Sequence, residues 1–307
     1  MTQYARPLLP HLMAISLFTP LTGFASAAFE NGFYIGAKVG AQEAMASWEQ
    51  SNHLSTYVDI SNSPDVTLQM NQSNDDGQAF HTNLMGNFAV GYAAVVDQFF
   101  LAIEGSANIA AEQEMSWHLN DHNTTHLENF FNETIDVTTE LSTETELELE
   151  PDINLDIRPG LLLAKNFLLY GRVGVAFSRL SIEQEAHTTA NATLTSDQFC
   201  APADRPACSF LKAVGGTASD DDEVLGLRAG LGVEYKFTPT LGLNVDYVFT
   251  DYGDIDLAYA DTYVGGNPEP DPVIDDITTL TQTTSKASVT KNTLTAGVNW
   301  YFGGKRR

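Results

Sequence analysis

Between Ile135 and Leu163 apolar residues return at every second position. The odd positions carry Ile135, Val137, Leu141, Leu147, Leu149, Ile153, Leu155, Ile157, Leu161 and Leu163. The even positions carry Asp136, Glu140, Glu144, Glu146, Glu148, Glu150, Asp152, Asp156 and Arg158. Side chains alternate faces along a strand, so this spacing predicts one strand with an apolar face and a mostly acidic face. Its lower half, Ile153 to Leu163, is long enough to cross a bilayer when tilted. In that half the odd residues are expected to face lipid, and Asp152, Asp156 and Arg158 to face inward. The upper half is wetter and is expected to project into water as a ribbon, with Glu144, Glu146, Glu148 and Glu150 along one side.

The same period of two recurs along the chain. Apolar series run from Phe33 to Ala41, Phe80 to Tyr92, Phe99 to Ile109, Leu169 to Phe177, Leu225 to Tyr235, Leu241 to Phe249 and Leu294 to Phe302. With the first stretch this makes eight strands, the even number expected of a bacterial barrel. The connections alternate in length. Short ones fall at Val95 to Gln98, Lys165-Asn166 and Thr238 to Thr240, and long polar ones over 46–77, 113–145, 183–222 and 252–290. Short turns at one end and long loops at the other fit periplasmic turns and extracellular loops. Tyr92, Phe99, Phe167, Tyr235, Phe237, Trp300 and Phe302 collect at the turn end, as in the aromatic girdle of a membrane interface. A soluble β-barrel or sandwich would bury its apolar face, and its loops would not be sorted by length. The expected fold is therefore all-β: an eight-stranded antiparallel up-and-down transmembrane β-barrel with long extracellular loops.

The first residues read as a secretory signal over 1–27, with the barrel domain over 28–307. Arg6 supplies the positive start, Leu8 to Phe18 the apolar core, and Ala25-Ser26-Ala27 a small-residue cleavage site. No later segment approaches the roughly 18 apolar residues of a spanning helix. The 307 residues carry a formal net charge of -25. That acidity argues against nucleic acid as a partner, because nucleic-acid binding needs a basic footprint.

Gly32-Phe33-Tyr34-Ile35-Gly36, Gly232-Val233-Glu234-Tyr235, Leu243-Asn244-Val245-Asp246-Tyr247 and the stretch Asn292 to Phe302 carry a resemblance. With these motifs the chain resembles the small outer-membrane barrel proteins of Gram-negative bacteria, the opacity-protein and OmpA-like group. The resemblance implies residence in the cell outer membrane, among outer-membrane lipid and lipopolysaccharide. Such chains commonly end on an aromatic residue, whereas Gly303-Gly304-Lys305-Arg306-Arg307 follow Phe302 here. The short tail holds no peptidoglycan-binding domain, so that part of the OmpA role is not implied.

Alternation places Lys38, Arg158, Arg172 and Arg228 in the lumen with Glu104, Asp152, Asp156, Glu234 and Asp246. An eight-stranded barrel is just wide enough for its own side chains. Buried charges persist only when paired, so a lumen network that plugs the barrel is expected. The lumen glycines Gly36, Gly40, Gly174, Gly226, Gly230 and Gly232 are expected to make room for the long Arg side chains. His81 also falls on the lumen face. As a catalytic base it would need a nucleophile or carboxylate beside it, and as an ordinary lumen residue only a hydrogen-bond partner. Acidic clusters at Asp75-Asp76, Glu144 to Glu150, Asp220 to Glu223 and Asp271 to Asp276 could draw divalent cations, but they lack EF-hand spacing. Cys200 and Cys208 in the third loop are expected to form a disulfide during periplasmic transit. No catalytic residue, cofactor or defined metal site is expected. The expected work is surface interaction, adhesion or envelope integrity through the loops, with a host or cell-surface ligand. The alternatives are a narrow porin-like channel and, further off, a lipid A-modifying enzyme.

Overall fold

A computed structural model of the chain describes residues 28–60, 66–69, 73–128, 134–195, 209–266 and 274–302. The expected signal segment and both cysteines, with their expected disulfide, lie outside the described residues. The elements are β1 (Gly32–Ile60), β2 (Val66–Gln69), β3 (Ser73–Val96), β4 (Phe99–Ala110), β5 (Gln113–Glu128), β6 (Thr134–Leu149), β7 (Ile153–Ala164), β8 (Phe167–Thr195), β9 (Ser209–Lys236), β10 (Leu241–Gly266) and β11 (Ile274–Phe302). No helix occurs among the described residues.

In the lower half, antiparallel ladders join β4, β3, β1, β11, β10, β9, β8 and β7, and β7 pairs back to β4. This is a closed eight-stranded ring. Closure leaves no strand edge, which is what a sheet in hydrocarbon needs. β4 and β7 have 12 residues each. At roughly 3.3 Å per residue and a tilt of about 40° they rise about 30 Å, enough to cross the hydrocarbon core. The outer face of the ring is apolar. Leu84, Ile103, Ile153, Leu163, Val173 and Leu231 stand more than half exposed. So large a bare patch is untenable in water and natural against lipid. The short turns fall at Asp97-Gln98, Lys165-Asn166 and Phe237–Thr240. Around them Phe33 packs edge-on against Tyr92 at 5.0 Å, and Trp300 stacks near Phe302.

The upper half forms the expected ribbon over the second connection, where β5 and β6 pair from Gln113↔Leu149 to Glu128↔Thr134, and departs from the expectation of long loops elsewhere. β1, β8 and β11 run 29 residues each, more than twice the spanning length. The stretches read as loops are largely strand. Above the ring two ladders stop. β3 and β4 pair only from Met85↔Ala110 downward, and β9 and β10 only from Asp251↔Leu227 downward. The wall thereby divides into two sheets, β3-β1-β11-β10 and β5-β6-β8-β9. They face each other across an apolar core. Ala44, Ala46, Ala287, Val289 and Tyr252 come from one sheet, and Met115, Trp117, Leu147, Leu149, Leu180, Ile182 and Val224 from the other. The barrel opens upward into a β-sandwich.

The polarity of the wall inverts at this level. On β8 the inward residues change from Arg172 to Leu180 and Ile182, while the outward ones change from Val173, Val175 and Phe177 to Arg179, Ser181, Glu183 and Glu185. The strand keeps its phase, and only its composition switches. The opening stretch of the sequence does the opposite. It is not one strand: β6 and β7 break at Glu150-Pro151-Asp152. Leu149 pairs with Leu180 and Ile153 with Phe177, so this side carries one extra residue, a bulge. Pro151 has no N–H to give the ladder, which suits it to that place. The odd residues below the break face lipid, and Asp152, Asp156 and Arg158 are buried in the lumen. Above it the same odd phase turns inward, burying Leu141, Leu147 and Leu149 and leaving Glu144 and Glu146 exposed. β4 and β5 break likewise at Ala111-Glu112, and β10 bulges between Asp251 and Asp254 at Gly253.

Candidate functional site: the filled lumen and the exterior above it

The lumen is filled in three tiers. At the turn end, Phe29, Tyr34, Phe100, Leu168, Tyr170 and Tyr301 form an aromatic layer. Phe29 meets Phe100 and Tyr301 edge-on at 5.9 and 6.0 Å, and Lys236 Nζ lies 4.0 Å from the Tyr301 ring centre. Lys236 also donates to the Ala28 carbonyl at 3.3 Å. The chain just before β1 is thus tucked under the barrel.

The middle tier holds the charges. Glu104 accepts from Arg158 at 2.6 Å, Arg172 at 2.7 Å and Tyr34 at 2.8 Å, with Lys38 at 3.4 Å. Asp246 receives Lys38 at 2.8 Å and the Tyr170 hydroxyl. Asp156 receives Arg172 at 2.5 Å, with Arg228 Nε 3.7 Å away. Glu234 accepts from Tyr301 at 2.6 Å, Asn299 at 2.8 Å and Arg158 at 3.3 Å. All of these side chains are buried. Burying a charge is costly unless it is paired and hydrogen-bonded, and cations and carboxylates alternate around this lumen.

Asp152 takes a lysine as its hydrogen-bonded cation. It receives Lys291 at 2.5 Å, Tyr252 at 2.8 Å and the Asn108 amide. Sequence reasoning missed Lys291 and the tyrosines. Lys291 shares the inward phase of Thr293 and Thr295, so extending the last strand upward by two residues would have found it. Tyr34 and Tyr170 also lie in inward phase. The lumen glycines do not seat arginines. A Cβ at Gly91 would strike the Tyr34 ring at 2.4 Å, one at Gly232 the Tyr170 ring at 2.5 Å, and one at Gly36 the Asn299 side chain at 2.5 Å. Rings, amides, backbone and the carboxylates of Asp156 and Asp246, rather than guanidinium groups, lie nearest these glycines.

The upper tier is the sandwich core, mostly apolar, with Gln50, Thr143, Thr145, Gln184 and Ser285 buried among the apolar side chains. His81 lies in the inward phase of β3 opposite Ala44. No nucleophile or carboxylate joins it in an ion pair or hydrogen bond among the described residues. Among the same residues, no group of three or more His, Cys, Asp or Glu is arranged to hold a metal ion. The clusters at Asp75-Asp76 and Asp271 to Asp276 fall largely outside the residues whose side chains are described.

A closed ring with lipid-facing apolar residues and a polar, filled interior defines a transmembrane β-barrel. The chain belongs to the outer membrane protein beta-barrel domain family, whose model matches residues 14–302, and it resides in the outer membrane. No curated protein matches it. Several solved structures are similar to this chain. OprG of Pseudomonas aeruginosa shares 13% identity over 91% of this chain and 99% of that one, with a TM-score of 0.38. The protease OmpT of Escherichia coli shares 8% over 91% and 100%, with a TM-score of 0.31. Ail, the attachment invasion locus protein of Yersinia pestis, was solved with the heparin analogue sucrose octasulfate and shares 10% over 85% and 99%, with a TM-score of 0.23.

Proposed function

We propose that the protein is a non-enzymatic, non-conducting anchor that holds an acidic β-sandwich above the outer membrane for surface interaction. The observation that carries this reading is the inversion of the wall at the membrane border. A pore needs a polar path from end to end. Here a charged tier is capped by an aromatic layer below and a packed, largely apolar core above, with Gln184 hydrogen-bonded to Thr145 and Ser285 inside it, while the charged surface is turned outward over the sandwich. Two long sheets with a packed core are a costly way to line a channel and an effective way to present a rigid surface. That surface is acidic, with Glu43, Glu49, Glu112, Glu114, Glu144, Glu146, Glu183 and Glu185 on its outer side. Its partner is therefore expected to be cationic, or to reach it through divalent ions shared with lipopolysaccharide phosphates.

Purified protein in planar bilayers tests the anchor. The expected result is little or no steady current. Steady, cation-selective conductance from most inserted molecules would overturn the reading in favour of a small channel. Cells carrying a version with 113–149 replaced by a short turn should keep the barrel and lose binding to any surface that the intact protein holds.

A further inference from the structure

Above Asp251 and Leu227 the two halves of the wall part. From there β9 pairs only with β8, and β10 only with β11, among the described residues. Each strand presents an unpaired edge to the seam, β9 up from Gly226 and β10 up from Tyr252. A row of free N–H and C=O groups is a template for another strand. The seam on the opposite side is tied across: Asn83 Nδ2 donates to the Ala111 carbonyl at 2.8 Å.

The open seam holds a cleft of about 300 Å³. That is the small end of ligand pockets, room for a few side chains. Its floor is apolar, made by Leu180, Ile182, Val224 and Ile255. Its rim carries Asp220, Asp222, Glu223 and Asp256. Asp220 and Asp222 lie in the inward phase of β9, in line with Val224, yet they are exposed because no neighbouring strand covers them. Nearby Asp221 is held by Arg179 at 2.8 Å and Asp254 by Lys286 at 2.9 Å. Asp222 and Glu223 have no ion-pair partner among the described residues, and Asp256 shares Lys286 with Asp254.

The occupant follows from the charge. A second copy of β9 or β10 would bring the same carboxylates and be repelled. A strand with alternating side chains would set one face on the apolar floor and the other among the acids. We infer that this seam docks an extended peptide segment alternating basic with apolar residues, added as a strand between β9 and β10. The inference rests on the reading of the sandwich as the recognising part of the protein.

The test uses the full chain in nanodiscs of zwitterionic lipid, with empty nanodiscs as the blank. The probe is a fluorescent peptide of alternating Lys and Leu, and the readout is anisotropy. Binding is expected to weaken at least about tenfold when Asp220→Asn, Asp222→Asn, Glu223→Gln and Asp256→Asn are combined. These residues are exposed, so the barrel should fold as before, which heat-modified mobility on gels verifies. A peptide N-methylated at alternate residues should also lose binding, because it cannot complete a ladder. Unchanged affinity of the combined variant, or equal binding of the methylated peptide, would overturn the proposal. So would dimerisation through the seam seen by light scattering. Cells that still adhere through the sandwich while the peptide is ignored would sink the seam alone. Conductance in bilayers would sink the anchor and leave the peptide result standing.

Discussion

Trp48 and Trp117 stack across the two sheets of the sandwich, with ring centroids 4.5 Å apart and planes within 9° of parallel. Trp117 Nε1 also donates to Gln50 at 3.3 Å. One ring comes from β1 and the other from β5, so the contact exists only if the sheets close on each other. Trp117→Ala should cost about 3–5 kcal/mol, the range for emptying a large aromatic site from a core. The loss should fall on the upper half alone. Near-ultraviolet circular dichroism should lose the coupled indole signal, and proteases should cut 113–149 while the barrel below stays resistant.

Arg172 and Arg228 should not be equivalent. Arg172 sits at 2.7 Å from Glu104 and 2.5 Å from Asp156, whereas Arg228 reaches Asp156 at 3.7 Å. Arg172→Ala takes from buried Asp156 its hydrogen-bonded cation, leaving only Arg228 at 3.7 Å, while Glu104 keeps Arg158 and Tyr34, and it is expected to destabilise the barrel by about 3–5 kcal/mol. Arg228→Ala should cost clearly less. Urea unfolding in lipid vesicles, followed by tryptophan fluorescence, gives the order. Equal losses would contradict the network as described.

Gly253 marks the bulge that swaps the faces of β10, and its φ is +77°. A Cβ there would meet nothing within 4 Å, so any cost is conformational. Gly253→Val is expected to lose about 1–2 kcal/mol. Gly253→Asn should lose less, since Asn tolerates the left-handed region better. Thermal melts of the two variants in the same detergent compare them directly.

Acid should first strengthen the sandwich. Partial desolvation, a hydrogen bond with Glu112 and repulsion from Glu112, Glu114 and Glu150 raise the Glu148 carboxyl above its ordinary value. A raised folded value means stability that is present at low pH and lost as pH rises through that value. Asp221 and Asp254 run the other way. Ser181 and then Arg179 lower Asp221, and Lys286 lowers Asp254, so their contribution is lost only as pH falls below the ordinary Asp range. Melting of the Trp48–Trp117 signal should therefore rise as pH falls through the raised Glu148 value, then fall under stronger acid. Glu148→Gln should flatten the first part and keep the second.

The ring was legible in the sequence because lipid makes one demand of every spanning strand. From Phe33 to Phe302 the outward residues must be apolar, so period and phase alone located eight strands and their short turns, and set out the inward positions without Lys236 and Lys291 being read among the lumen charges. The same demand told which residues face inward, though not which partners they meet. Glu104 lies beside Lys38, Arg158 and Arg172 because β1, β4, β7 and β8 curl around one axis, and that proximity is a property of closure. The upper half was harder to read because its rule is reversed. From Arg179 to His187 the alternation continues, but with polar residues outside and Leu180 and Ile182 inside, and a polar outer face looks like a loop when lipid is assumed. Along the opening stretch, the apolar phase ran unbroken from Ile135 to Leu163 while the wall it belongs to turned over at Pro151. A local pattern reports which residues share a face. Which medium that face meets, lipid below the bulge and the opposing sheet above it, is decided by the sheets that pack around it.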